Sequence, residues 1–306
     1  MEQAARVIAV FTKNRLNPAY DAARAAADRV AAEAGARTIH YVPETPDDVG
    51  EQKALVSQAL AARPAGVVFN PTDDEAMRED LDRLAAAGIP VALFINRMDG
   101  PALTFVGSDD IAIGHAVATA LINGLRGGLS GGVGGKGRIV ALDGTPSART
   151  ARDRAEGLRR AVAEHPAVEL VDARIGYLQR APAKAAMEEL LAAHPRIDGV
   201  WTANDMMAFG AVDALAAAGR TAKVVGINGL PEAIANIERG AMLASADFSA
   251  LNIAAIATRA VLRHLDGKTV PKEIMVPAEL IDRTNINRWK VPMAERPCPA
   301  WEEIVR

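Results

Sequence analysis

The octapeptide Gly66-Val67-Val68-Phe69-Asn70-Pro71-Thr72-Asp73 changes chemistry abruptly between its fourth and fifth residues. Four unbroken apolar residues have the character of a strand buried on both faces. Pro71 then removes a backbone donor, so the strand stops at the amide of Asn70. Asp73 and Asp74 follow as N-cap candidates for a helix. In an open parallel sheet, small ligands sit beyond the carboxyl ends of strands, where helix N-termini converge. Asn70 occupies such a point.

Outward from this stretch the pattern repeats. Before it come an apolar strand at 7–11, a helix announced by Asn17-Pro18 and closed at Gly35, a strand at 38–42, and a helix from Asp47 to about Pro64. Asparagine at the N-cap and proline at the first helical position are a strong start signal. After it come a helix over 73–87, a strand at 90–95 and a short strand-like piece at 104–106. A long helix over 109–125 follows. The alternation then restarts with strands at 138–142, 168–173, 199–202, 224–227 and 243–247. Helices at about 148–164, 181–194, 205–218, 232–239 and 251–264 separate or follow them. Apolar strands alternating with helices imply parallel sheets covered on both faces.

The chain of 306 residues is longer than a single core usually grows, so two domains are expected. The final helix and the strand-like tail fit when the chain crosses back to the first half. The expected fold class is α/β: two doubly wound parallel-sheet lobes joined by a three-segment hinge, with crossings near Ser108, Phe248 and 277–281. The first lobe takes 1–107 plus 249–278 and the second 108–248 plus 279–306, with the ligand cleft between them. Lobes joined in this way hinge and close on a ligand.

Bulk composition removes several functions. The net charge of -3 gives no basic footprint for nucleic acid, and no run reaches the ~18 apolar residues of a membrane span. Cys298 is the only cysteine and makes no internal disulfide. The segment Gly127–Gly137 contains Gly135-Lys136, but Ser130 stands where a phosphate loop needs glycine and Gly137 where it needs Ser or Thr. It also precedes its strand, so it is read as a connector. The histidines at 40, 115, 165, 194 and 264 have no metal-ligand spacing, and no Gly-x-Ser-x-Gly elbow is present. No catalytic residue, metal or cofactor is expected.

What remains is a set of planar polar groups at strand ends: Lys13 and Asn17, Asn70, Asn96-Arg97, Asn204-Asp205 and Asn228. Arg152 joins them from a helix start, since the stripe Ala151, Ala155, Leu158, Val162 is expected to face the core. Amides and guanidiniums hold pairs of hydroxyls with bidentate hydrogen bonds. Tyr20, Tyr177 and Phe248 are the aromatic candidates to face a sugar ring.

Asn17-Pro18, 68–73, Gly88-Ile89-Pro90-Val91, Asn96-Arg97, Gly107-Ser108-Asp109, 151–157, Thr202-Ala203-Asn204-Asp205 and 225–229 stand in the order of a known family. Through them the chain resembles the type I periplasmic sugar-binding proteins of the ribose-binding class, the solute receptors of ABC importers. The resemblance implies ligand contacts at Asn17, Asn70, Asn96, Arg97, Arg152, Asn204, Asn228 and Phe248; Lys13, Tyr20, Tyr177 and Asp247 complete the candidate set. It implies a monomeric, non-catalytic receptor for a sugar, polyol or sugar acid. Such a receptor works in the periplasm after loss of a leader, engages the permease transmembrane subunits and does not bind nucleic acid. A second reading, the effector domain of a LacI-type regulator, would require a DNA-binding headpiece before the first strand.

The sequence departs from the family pattern where aspartate is usual at 96 and 228, where Ala19 replaces an aromatic, and where Lys13 replaces a small polar residue. Loss of two carboxylates beside Lys13, Arg97 and Arg152 leaves two ligand classes open. Either the ligand is a polyol, a non-standard sugar or a sugar derivative bearing a carboxylate or phosphate, or Asp109, Asp205 and Asp247 neutralise the arginines and the ligand is an ordinary monosaccharide.

Overall fold

A computed structural model of the chain describes residues 6–126 and 137–305; the glycine-rich connector at 127–136 lies outside the described residues. In chain order the elements begin with β1 (Val7–Phe11), α1 (Pro18–Glu33), β2 (Arg37–Tyr41), α2 (Val49–Ala62), β3 (Gly66–Phe69), α3 (Arg78–Ala86), β4 (Val91–Phe94) and β5 (Thr104–Gly107). They continue with α4 (Asp110–Arg126), β6 (Gly137–Asp143), α5 (Arg149–Ala163), β7 (Val168–Ile175), α6 (Arg180–Ala193), β8 (Gly199–Thr202), α7 (Asp205–Ala217), β9 (Lys223–Ile227), α8 (Pro231–Arg239) and β10 (Ala244–Asp247). The last are α9 (Ala250–Leu265), β11 (Glu273–Met275), β12 (Glu279–Ile281), two short 3-10 turns and α10 (Trp301–Ile304).

These elements form two compact units. One holds the chain up to Ser108, Ser249–Pro277 and the tail from Met293; the other holds Asp109–Phe248 and Ala278–Pro292. The first contains a sheet of order β11-β5-β4-β3-β1-β2, the second a sheet of order β12-β10-β9-β8-β6-β7. All pairings in the first sheet are parallel. In the second, only β12 runs antiparallel, against β10. The architecture is the α/β pair of doubly wound sheets expected from the strand-helix alternation.

In the first unit the core forms around Phe11, which stacks on Tyr41 with centroids 4.8 Å apart and meets Phe69 edge-on at 5.1 Å. Alanines 19, 22, 23, 26, 27 and 31 are buried along α1, so its backbone lies close to the neighbouring α9, whose face is also rich in alanine. The strands β3 and β4 are buried at every residue, as their unbroken apolar runs require.

Three local expectations are corrected. The helix after Asn70 starts at Arg78, not Asp73: the Asp73 carboxylate accepts from the amides of Glu75 (3.0 Å) and Ala76 (2.8 Å), closing a separate turn first. The tail from Met293 packs with the first unit instead of the second. There Met293 and Trp301 are buried, Arg263 lies over the Trp301 ring at 4.5 Å, and Arg29 and Arg259 donate to the carbonyls of Arg296 and Pro299. The chain therefore passes between units after Ser108, Phe248, Pro277 and Pro292. Along α5 the buried face includes Arg154 and Ala161, while Val162 is only half-buried.

Candidate functional site

In the first unit the carboxyl ends of β1, β3 and β4 carry the polar groups. After β1, Lys13 is 2% exposed and its Nζ stands 3.8 Å from Asp47 Oδ1. Asn14, which sequence reasoning did not single out, organises this loop. Its Oδ1 accepts from the amides of Leu16 (3.1 Å) and Asn17 (3.0 Å), and its Nδ2 donates to Asp47 (3.1 Å). An Asn-x-x-Asn spacing before a helix was the available signal. Asn17 caps α1 by accepting from the Ala19 amide at 3.0 Å, and Tyr20 is buried one turn on.

Asn70, just beyond β3, is the chemically unsettled group. Its backbone is satisfied: the amide donates to the Phe11 carbonyl at 3.2 Å, and the carbonyl accepts from Gln52 Nε2 at 3.0 Å. Gln52 Oε1 in turn accepts from the Thr72 amide and hydroxyl, which fixes the turn. The side chain is 0% exposed, and neither Oδ1 nor Nδ2 has a hydrogen-bond partner among the described residues. An orphaned buried polar group costs roughly 1–3 kcal/mol, and this residue carries two such atoms.

After β4, Ile95 takes a φ of 62°, and the next residue, Asn96, is 4% exposed. The Asn96 Nδ2 donates to the Pro71 carbonyl at 2.9 Å, which ties it to the Asn70 turn. Arg97 lies 4.4 Å over the Phe105 ring and forms an ion pair with Glu273 of β11.

The second unit repeats the arrangement on its own sheet. Arg152 is exposed on α5 and donates to the Pro146 carbonyl at 2.9 Å. Two positions along, Arg154 is buried. It donates to Asp110 at 2.7 Å and to the Ala203 carbonyl at 2.9 Å, and its guanidinium lies 5.1 Å from the centre of the Phe248 ring. Burial pushes the Asp110 carboxyl up, and Arg154 offsets part of that. Sequence reasoning missed Arg154 because a helical stripe admits a charged residue only when its partner is known.

Tyr177 is 50% exposed, in a left-handed pair with Leu178 (φ 53° and 59°). Asn204 caps α7, accepting from the Met207 amide at 2.9 Å, and its Nδ2 donates to the Leu178 carbonyl at 2.9 Å. Asn228 is buried with a φ of 143°, and Asp247, the last residue of β10, and Phe248 just after it are buried. Asp143, at the end of β6, has a buried Oδ1 without a partner among the described residues and a carboxyl pushed up by burial.

The structure also changes which carboxylates face the cations. Glu273 pairs with Arg97 and Asp47 with Lys13. Asp205, one of the expected neutralisers, instead accepts from the Ser245 hydroxyl (2.6 Å) and the Leu230 amide (2.9 Å). Among the described residues no group of three or more His, Cys, Asp or Glu could hold a metal ion, and no helix is long and apolar enough to cross a membrane.

Comparison with known proteins agrees with this fold. The chain is 28% identical over 275 residues to a ribose import binding protein of Bacillus subtilis, covering 89% of this chain and 85% of the relative. An ABC transporter solute binding protein of Mycobacterium smegmatis, solved with bound glycerol, is 30% identical, with a TM-score of 0.85 over 93% of this chain and 96% of that one. An ABC transporter periplasmic solute binding protein of Actinobacillus succinogenes, solved with bound D-allose, is 26% identical, with a TM-score of 0.85 over 92% and 99%. These relatives are importer binding proteins, which removes the transcription-regulator reading. The periplasmic binding protein domain model matches residues 8–269, and the chain belongs to that family.

Proposed function

We propose that this protein is the receptor of an ABC importer for a neutral sugar or polyol, acting in the periplasm as a monomer and delivering its ligand to permease membrane subunits. It is a binding protein, not an enzyme, in keeping with its family. The proposed contacts are Lys13, Asn17, Tyr20, Asn70, Asn96 and Arg97 in the first unit, and Arg152, Tyr177, Asn204, Asn228, Asp247 and Phe248 in the second.

The observation that carries this reading is the Asn70 side chain, whose donor and acceptor are both buried and without a partner among the described residues. A vicinal diol supplies what both atoms lack, because each hydroxyl donates and accepts. Ligand neutrality is supported by charge pairing: Lys13 has Asp47 and Arg97 has Glu273. An anion would have to compete with carboxylates already in place.

Titration calorimetry with D-ribose, D-allose, myo-inositol, glycerol and D-ribonate tests the proposal. At least one neutral compound should bind, and D-ribonate should bind at least about tenfold more weakly, a difference of about 1.4 kcal/mol. Tightest binding by D-ribonate would refute neutrality. Heat from none of the neutral compounds would sink the receptor reading for this chemical class.

A further inference from the structure

The turn after β9 is built against local preference. Asn228 has a φ of 143° and Gly229 a φ of 63°. A side chain at 229 is excluded twice over, since a Cβ there would lie 2.8 Å from Asp247 Cβ and 2.9 Å from Ile281 Cδ1. A non-glycine residue at such a φ persists only when its surroundings hold it, and such residues gather at binding sites.

Three successive amides show what holds it. The Asn228 amide donates to the Ala246 carbonyl at 2.7 Å. The Gly229 amide donates to Ser245 Oγ at 3.1 Å, and the Leu230 amide to Asp205 Oδ2 at 2.9 Å. The Ser245 hydroxyl passes its proton contact on to Asp205 Oδ1 at 2.6 Å. Asp205 therefore collects two of the three amides, one directly and one through Ser245. Both side chains have 0% exposure, and Asp205 Oδ1 fills the space left by the missing side chain of Gly226, where a Cβ would lie only 2.2 Å away.

A wholly buried carboxylate is an expensive way to join secondary structure. We infer that Asp205 is a positioning residue for the binding site: through Ser245 and the Leu230 amide it fixes the 228–230 turn in the conformation that presents the Asn228 side chain. The inference rests on Asn228 being a ligand contact, as proposed above.

The charged groups acting on Asp205 are Asp247 from β10, which disfavours its ionisation, and Arg154 from α5, which favours it; Arg154 is itself bonded to Asp110 of α4. Burial is the largest effect and pushes the Asp205 carboxyl up to about 7. The ionised form accepts from both Ser245 and Leu230, whereas protonation takes up one acceptor site. The turn is thus held more firmly above pH 7 than below it.

The test uses the full chain as wild type, Asp205→Asn, Ser245→Ala, Asn228→Ala and the Asp205→Asn/Asn228→Ala double variant. Amide exchange of 228–230 is followed without ligand, and binding of the tightest of D-ribose, D-allose, myo-inositol and glycerol is followed by calorimetry at pH 6 and pH 8. Exchange at 229 and 230 should accelerate at least about tenfold in Asp205→Asn and Ser245→Ala. Each should weaken binding by roughly tenfold, the scale of one lost hydrogen bond. Wild-type binding should be tighter at pH 8 than at pH 6, and this difference should vanish in Asp205→Asn. The double variant should bind within about twofold of Asn228→Ala alone, because coupled residues are not additive. Unchanged exchange in both single variants would overturn the inference, as would full additivity with a weakened Asn228→Ala. Wild-type affinity in Asn228→Ala would instead remove the contact on which it stands.

Discussion

Gly114 of α4 and Gly157 of α5 meet backbone to backbone. A Cβ at Gly157 would lie 2.9 Å from the Gly114 carbonyl carbon and 2.5 Å from the His115 nitrogen; one at Gly114 would lie 2.8 Å from the Arg154 carbonyl carbon. This approach brings the start of α4 within reach of α5, so that Arg154 bonds to Asp110.

Gly157→Ala sets two effects against each other. Helix propensity favours alanine by up to about 1 kcal/mol. Overlap with backbone atoms that cannot swing aside costs about 1–3 kcal/mol and should win. The thermal midpoint should drop by several degrees; a higher midpoint would show that the helices separate freely.

Asn70→Leu should separate stability from binding. Replacing an amide with two orphaned buried atoms by an apolar side chain of similar size removes a desolvation penalty. The ligand-free protein should unfold at the same temperature or higher, while binding of the preferred sugar falls at least about tenfold. Retained affinity would show that Asn70 is not a contact.

The Asp205 carboxyl makes folding stability depend on pH with a definite sign. Burial raises it from 3.8 to about 7, so the fold holds its proton more tightly than the unfolded chain does. Stability from this group is full below about pH 4, falls as pH rises towards 7, and is lost above. Asp110 and Asp143 are also pushed up by burial and act in the same direction. The informative measurement is therefore the difference between wild type and Asp205→Asn. Between pH 5 and pH 8 the melting temperature of the variant should fall less than that of wild type, and parallel curves would contradict the assignment.

Trp301→Ala tests the tail. Trp301 is buried against the first unit beneath the Arg263 guanidinium. Truncating a large buried aromatic costs about 3–5 kcal/mol, less where the site collapses. The first unit should lose stability by roughly 2–4 kcal/mol in urea unfolding, with sugar affinity within about twofold of wild type. No change in the unfolding midpoint would mean that the tail does not contribute to the core.

Much of this was legible in the sequence, for identifiable reasons. Strands such as β3 and β4, buried on both faces, announce themselves as unbroken apolar runs, and Asn17-Pro18 marks the start of α1 by side-chain chemistry alone. Asp73 misled because an aspartate that closes a turn has the same local signature as one that caps a helix. The tail from Met293 does not reveal its unit in the sequence, because its anchors, Met293 and Trp301, have no periodicity and depend on partners far away in the chain. Arg154 and Ser245 were illegible for a related reason. Their roles consist of hydrogen bonds to the Ala203 carbonyl and the Asp205 carboxylate, and no sequence spacing encodes those distances.

Asn96 donates one amide hydrogen to the Pro71 carbonyl, and that tether sets which end of the amide is left over. With its nitrogen engaged, this proposed ligand contact would offer an approaching hydroxyl chiefly an oxygen, as an aspartate would, yet it has no charge and no proton to gain or lose. Whatever affinity this position supplies should therefore be indifferent to acidity and to ionic strength, leaving recognition there to the direction in which a hydroxyl points.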